Sequence, residues 1–185
     1  MELKSYGKMN IKTLKKFIGR KNPYAIQILI GKNKCMYKPI HEEFTDKLLQ
    51  EHLDGIKSLG TYVIKEDGMV NFGTIDIDID EITPETLKEA KELGEQIYEL
   101  FPDFKRCLEY SGRRGFHVWV FMENPEPPAF VRELIKTRLT MVGIKNVEVF
   151  PKQDSLLGKK LGNLIKLPCG KHKLGWWSYI IKEVK

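Results

Sequence analysis

Residues 70–82, VNFGTIDIDIDEI, set carboxylates at every second position: Asp76, Asp78 and Asp80 alternate with Ile75, Ile77 and Ile79. A β-strand alternates faces with period two, so the isoleucines turn one way and the aspartates the other. Burying the isoleucines leaves a row of carboxylates about 7 Å apart at Cα. From that separation side chains converge on metal ions about 3.5–4 Å apart, the two-metal arrangement of polymerases and nucleases. An exposed acidic edge strand fits the same pattern, because edge charges deter aggregation. The strand by itself does not separate the two readings.

Three further groups bear on the choice. Glu148 lies between Val147 and Val149; the valines suit a core and the glutamate then faces the way the aspartates do. Three carboxylates make an oxygen-rich site suited to Mg²⁺ or Mn²⁺. In SGRRGFHVWVF (111–121), Ser111, the amides near Gly112 and Gly115, Arg113, Arg114 and His117 fall within seven residues. Glycines let backbone N–H groups approach phosphate, arginine binds it bidentately, and histidine donates to it. A plain hairpin turn with solvated arginines has the same composition. Lys152, Lys159, Lys160, Lys166, Lys171 and Lys173 are spread through residues 150–173, where they suit the path of a triphosphate, template or primer, or a generic lysine-rich loop. Trp176–Trp177 reads as packing, alternating inside and outside a final strand, rather than as a base-stacking platform.

The elements that must position these groups follow from periodicity. A short basic helix is expected over 11–19 and a strand over 24–30. A polar loop with Pro39 spans 31–43, and a helix capped by Thr45 covers about 46–58, with His52 as a satisfied core histidine. Thr61–Ile64 pairs with Met69–Phe72 across the KEDG turn. The acidic strand (70–80) precedes a helix opened by Thr83-Pro84-Glu85 and ended near Pro102. Strands at 104–110 and 116–122, a helix from Pro127–Pro128 to Gly143 and a strand at 146–150 complete the set. This is βαββαβ, the ferredoxin-like or RNA-recognition-type (RRM-like) unit. Right-handed crossovers give it the spatial order 4-1-3-2, with Asp76 and Asp78 on the face away from both helices, His117 to one side and Glu148 to the other. The expected class is α+β: an N-terminal α/β lobe (1–68), an RRM-like core (69–150) and a basic C-terminal segment (151–185) packing back on the core, as a single domain over 1–185.

Bulk properties narrow the classes. With 185 residues the chain can bury roughly 70% of its unfolded surface. Residues 1–68 carry 13 Lys+Arg and 8 Asp+Glu, residues 69–150 carry 10 and 15, and residues 151–185 carry 8 and 2. Basic flanks around an acidic centre suit a phosphate-rich partner or a solvated lysine surface. No run approaches ~18 uncharged apolar residues, so no membrane span is expected, and the N-terminus lacks a signal-peptide core. Three scattered cysteines (Cys35, Cys107, Cys169) point to a reducing cytoplasm, without a disulfide framework or a Cys-based zinc site.

In motif order and spacing the chain resembles the archaeo-eukaryotic primases, or primase-polymerases. The matching segments are Asp76-Ile-Asp78, Ser111-Gly-Arg-Arg-Gly-Phe-His117 and Val-Glu148-Val. The likeness is closer to the compact primase domains of conflict-system and CRISPR-associated proteins, through Phe17-Ile-Gly-Arg20, His52-Leu-Asp-Gly55, Phe150-Pro-Lys-Gln153 and Gly162-Asn-Leu-Ile-Lys-Leu-Pro168. It spans about residues 17–170. The resemblance implies template-directed nucleotidyl transfer and primer synthesis on single-stranded DNA or RNA. Two Mg²⁺ or Mn²⁺ ions would be held by Asp76, Asp78 and Glu148, with no zinc. NTP or dNTP would be held by Ser111, Gly112, Arg113, Arg114 and His117, with Lys152, Asn163 and Lys166. Lys159, Lys160, Lys171, His172 and Lys173 fall to template and primer. Asp80 lies outside the family pair and reads as solvated or supporting. Accessory and zinc modules of many relatives have no counterpart here, which suggests a catalytic module of a longer protein or larger system. The competing classes are a non-catalytic RRM-like nucleic-acid-binding module, which would place stacking aromatics where this chain has aspartates, and a metal-dependent nuclease or nucleotide cyclase.

Overall fold

The computed structural model describes residues 9–156 and 161–182. Asn10 caps α1 (Ile11–Leu14) by accepting from the Thr13 N–H, and a 3-10 turn, Lys15–Phe17, follows. The helix expected to Gly19 stops at Phe17, because the next residues dock elsewhere. The Gly19 N–H donates to Thr61 Oγ1, and a Cβ on Gly19 would overlap the Tyr62 carbonyl. Arg20 reaches the Ile64 and Lys65 carbonyls.

β1 (Tyr24–Gly31) and β2 (Lys34–Ile40) form a hairpin. Residues 31–43, expected as a polar loop, are therefore mostly strand. The half-buried Cys35 and Tyr37 alternate with exposed Met36 and Lys38, a period-two signal obscured by lysines and by Pro39, which an edge strand tolerates. Capped by Thr45, α2 (Asp46–Leu53) stops short of the expected residue 58. Gly55 at φ +74° turns the chain, Ile56 is exposed, and Leu59 opens β3 (Leu59–Tyr62). β3 pairs with β1 and with β8 (Leu164–Lys166), giving a sheet of order β2-β1-β3-β8. The expected hairpin of 61–64 with 69–72 does not form. The KEDG turn closes through Lys65 N–H to the Met69 carbonyl, but it passes the chain from one sheet to the other.

The second sheet holds β4 (Val70–Asp78), β5 (Lys105–Tyr110), β6 (Gly115–Glu126), β7 (Glu148–Phe150) and β9 (Tyr179–Lys182), in the order β7-β4-β6-β5-β9, with every pairing antiparallel. Taken in chain order, its first four strands stand 4-1-3-2, as the crossover argument required. β9 was not foreseen as a partner of β5. α3 (Pro84–Glu99) starts in a capping box between Thr83 and Thr86, and α4 (Pro128–Met141) starts at the expected prolines. Both lie on the isoleucine face. A Cβ on Gly94 of α3 would come within 2.8 Å of Leu108, and one on Gly73 of β4 within 2.8 Å of Val131 of α4. The aspartate face is covered over half its length: Phe17 packs edge-on against Trp119 and Phe121, with ring centroids 5.0 and 5.1 Å apart. The N-terminal lobe thus seals the Phe72 end of β4 and leaves the Asp76–Asp78 end facing a cleft. No helix among the described residues is long and apolar enough to cross a membrane.

Candidate active site

One rung of the second sheet carries the chemistry. Glu148 of β7 stands opposite Asp76 of β4, Asp76 opposite His117 of β6, and His117 opposite Glu109 of β5. Directly opposed residues share a face, with Cβ atoms about 4.5–5.5 Å apart, so four titratable side chains form a line across four strands. Asp78 lies two residues along β4 on the same face, and its carboxylate accepts from Arg114 Nη2 at 2.9 Å. Lys152 Nζ donates to Glu148 Oε2 at 2.7 Å and sits over the Phe150 ring. β4 ends at Asp78, so Asp80 falls in an exposed bend outside the row.

Asp76 is the least satisfied member. Its Oδ1 is buried without a hydrogen-bond partner; the nearest positive group is His117 Nε2, 3.5 Å away. Burial pushes the Asp76 carboxyl above its usual range; His117 opposes this, and Asp78 and Glu148 add to it. A divalent cation would relieve that arrangement, and all-oxygen donors suit Mg²⁺ or Mn²⁺. The residues present therefore fit such an ion. With Asp78 and Glu148 turned to Arg114 and Lys152, no group of three or more His, Cys, Asp or Glu among the described residues is gathered in metal-holding geometry.

Glu109 was not anticipated. It is fully buried, its Oε2 accepting from His117 Nδ1 at 3.0 Å and from Trp119 Nε1 at 2.9 Å, with Lys166 Nζ 3.5 Å from Oε1. Burial alone would raise its carboxyl, but Lys166, His117 and Trp119 outweigh this and hold it below its ordinary range. For His117, burial pulls the ring down and the Glu109 and Asp76 carboxylates more than offset it, so it keeps its proton more readily than a free imidazole. Glu109 thereby fixes the ring with Nδ1–H as donor and leaves Nε2 toward Asp76 and the cleft. Lys166 is buried, its Nζ donating to Ser178 Oγ at 2.8 Å and to the Leu167 carbonyl at 2.9 Å. Burial lowers its pKa despite Glu109.

The cleft encloses about 310 Å³ between the two sheets. Asp76, Asp78, Ser111, Arg113, Arg114 and His117 line it from the second sheet, and Gln27, Cys35 and Tyr37 from β1 and β2. Phe150, Leu164, Ile165, Lys166 and His172 complete it. The glycine turn closes through Ser111 N–H to the Gly115 carbonyl at 2.9 Å. Gly112 has φ +92°, and a Cβ there would come 2.8 Å from the Trp176 carbonyl. Trp176 N–H in turn donates to the Gly112 carbonyl at 2.7 Å. Gly112→Ala is expected to cost about 1–3 kcal/mol, read as a lower denaturation midpoint; an unchanged midpoint would mean that these segments do not dock.

The segment 168–178 is seated by the His52-Leu-Asp-Gly55 motif. His52 Nε2 donates to the Pro168 carbonyl and Nδ1 accepts from the Leu59 N–H, as a satisfied core histidine should. A Cβ on Gly170 would overlap the His52 ring. Burial, with Lys166 nearby, pulls the His52 pKa from its ordinary 6.5 to about 4. The unfolded chain takes up this proton near pH 6.5 and the folded chain only near 4, so protons favour unfolding across that window. Stability is expected to fall by about 3 kcal/mol from this ring as pH drops from roughly 6.5 to 4. Denaturation of wild type and His52→Gln at stepped pH checks this, the variant showing the shallower decline.

The remaining expected residues are dispersed. Asn163 accepts from the Lys152 N–H and its carbonyl from Val63, so it braces the strands and does not line the cleft. Lys171 is exposed, and Lys173 Nζ donates to the Ile56 carbonyl. His172 lines the cleft, with Nε2 3.0 Å from Gln27 Nε2. Lys159 and Lys160 lie outside the described residues. Trp176 and Trp177 precede β9 and are 74% and 44% exposed; they do not alternate in and out of a strand.

An acidic central strand, a histidine beside it and a glycine turn at its end gather cation-binding and phosphate-binding side-chain types at one end of an antiparallel sheet. A family model for the archaeo-eukaryotic primase domain of the TOTE conflict system matches residues 12–175, and the chain belongs to that family. No curated protein matches it. Membership supports a primase-like nucleotidyltransferase function in broad terms and fits a nucleic-acid substrate and a place in a larger system.

Proposed function

We propose that the protein is a metal-dependent, template-directed nucleotidyltransferase that makes or extends primers on single-stranded nucleic acid, built on an RRM-like catalytic core. The observation that carries this reading is the half-buried Asp76 carboxylate, whose Oδ1 is buried and unpartnered and which is flanked by Asp78 and Glu148. Asp76, Asp78 and Glu148 would hold Mg²⁺ or Mn²⁺. When bound, such ions activate a 3′-hydroxyl and steady the triphosphate for in-line displacement, with pyrophosphate leaving. His117, fixed by Glu109, presents Nε2 to the triphosphate, and the Arg113 guanidinium lies beside the same cleft. Arg114 and Lys152 neutralise Asp78 and Glu148 in the present state; once cations take the carboxylates, both are free to turn to phosphate. On the central strands, the aromatics of this face are Phe72, Trp119 and Phe121; they pack on one another, and Phe17 covers Trp119 and Phe121, which argues against RRM-type base stacking there.

The test is synthesis on a single-stranded template, comparing NTPs with dNTPs and Mg²⁺ with Mn²⁺. Products whose sequence follows the template are expected, and EDTA should stop them. Tight EDTA-indifferent binding without synthesis would identify a binding module. A cyclic product formed without template would identify a cyclase.

A further inference from the structure

We infer that Trp176 is a stacking platform for a base of the single-stranded nucleic acid, placed at the rim of the cleft; this rests on the nucleotidyl-transfer reading of the site. Exposure alone would not support it, since scattered surface apolar residues are ordinary. What distinguishes Trp176 is its mounting. Its N–H donates to the Gly112 carbonyl and its carbonyl accepts from the His172 N–H at 3.0 Å, so both sides of its backbone are tied to segments that line the cleft. The neighbouring Trp177 is spent differently: its ring lies over Gly55, where a Cβ would come 2.5 Å from it. Trp176 keeps a 74% exposed indole on a braced turn, one hydrogen bond from the glycine turn that carries Arg113.

Charge selects the occupant. The cleft sets Arg113, Arg114 and Lys166 beside Asp76 and Asp78, and a rim that adds further cations suits a polyanion. Lys171 and Lys173 are exposed on the same turn, and Arg113 is in no ion pair among the described residues. An aromatic face among cations is how proteins hold single strands without reading sequence.

The experiment measures binding of a fluorescein-labelled oligothymidylate of roughly 12 nucleotides, within single-strand site sizes. It uses the full chain in EDTA without nucleotide, so that no catalysis intervenes. Trp176→Ala is expected to weaken binding roughly 5- to 100-fold, and Trp176→Phe to restore most of it. Oligonucleotide should quench the tryptophan fluorescence of wild type, and Trp176→Ala should lose much of that quenching. Mn²⁺-nucleotide binding should be the same in all three proteins. Wild-type oligonucleotide affinity in Trp176→Ala would overturn the inference. So would an equal loss of nucleotide affinity, which would mean a collapsed turn, or a Trp176-dependent change of molar mass in light scattering with DNA binding intact, which would mean that a second copy covers the indole. If Trp176-dependent DNA binding is found but wild type makes no templated product, the platform stands and the enzymatic reading falls.

Discussion

Asp76→Asn is expected to abolish nucleotidyl transfer, by at least on the order of 1,000-fold, and to melt no lower than wild type. These two outcomes belong together. The carboxylate is half-buried beside Asp78 and Glu148, with Oδ1 buried and unpartnered. Its negative charge is therefore a cost to the folded state, borne where a cation would repay it. Asparagine keeps the shape and removes the charge, so the melting temperature should hold or rise by a few degrees. Most buried-site substitutions lose stability, which makes the combination diagnostic. A variant that melts well below wild type would show that Asp76 is a structural acceptor; a variant that stays active would remove it from the site.

Glu109→Ala has the opposite profile. It leaves Lys166 buried without its carboxylate, and the His117 Nδ1 and Trp119 Nε1 groups without their acceptor. Breaking a buried ion pair from one side costs about 3–5 kcal/mol, a large share of the 5–15 kcal/mol typical of a folded domain. Denaturant titration should show a much lower midpoint. Glu109→Gln keeps an oxygen for both rings, which share Oε2, but turns its NH2 toward Lys166, and should be milder. Because Glu109 acts through His117, the glutamine variant should raise the KM for nucleotide more than it lowers kcat. Wild-type stability of Glu109→Ala would mean that the network contributes nothing to the fold.

The acidic strand, its two neighbours and the face on which Glu148 and His117 would meet it were legible because a strand's period and a crossover's handedness are fixed by backbone geometry. The strand's period did not separate Asp80 from Asp76 and Asp78; only the family resemblance did, and Asp80 lies beyond the end of β4. Glu109 was not legible. In KRCLEY a lone glutamate reads as solvated; its role comes from register with His117 and from Lys166, 57 positions away in sequence. Lys166 was read as a phosphate ligand for the same reason: nothing local shows that its chain end meets Glu109 and Ser178. The strands β2, β8 and β9 are short or broken by proline and lysine, so long-range pairing, not local pattern, makes them. The two tryptophans were misplaced because β9 starts only at Tyr179.

The most direct test of the central claim is Mn²⁺ binding in the presence of a non-hydrolysable nucleotide, followed by electron paramagnetic resonance. The account predicts about two bound ions per chain in wild type, and loss of that binding in Asp76→Asn and Glu148→Gln while both remain folded. Unchanged Mn²⁺ binding in the folded variants would contradict it.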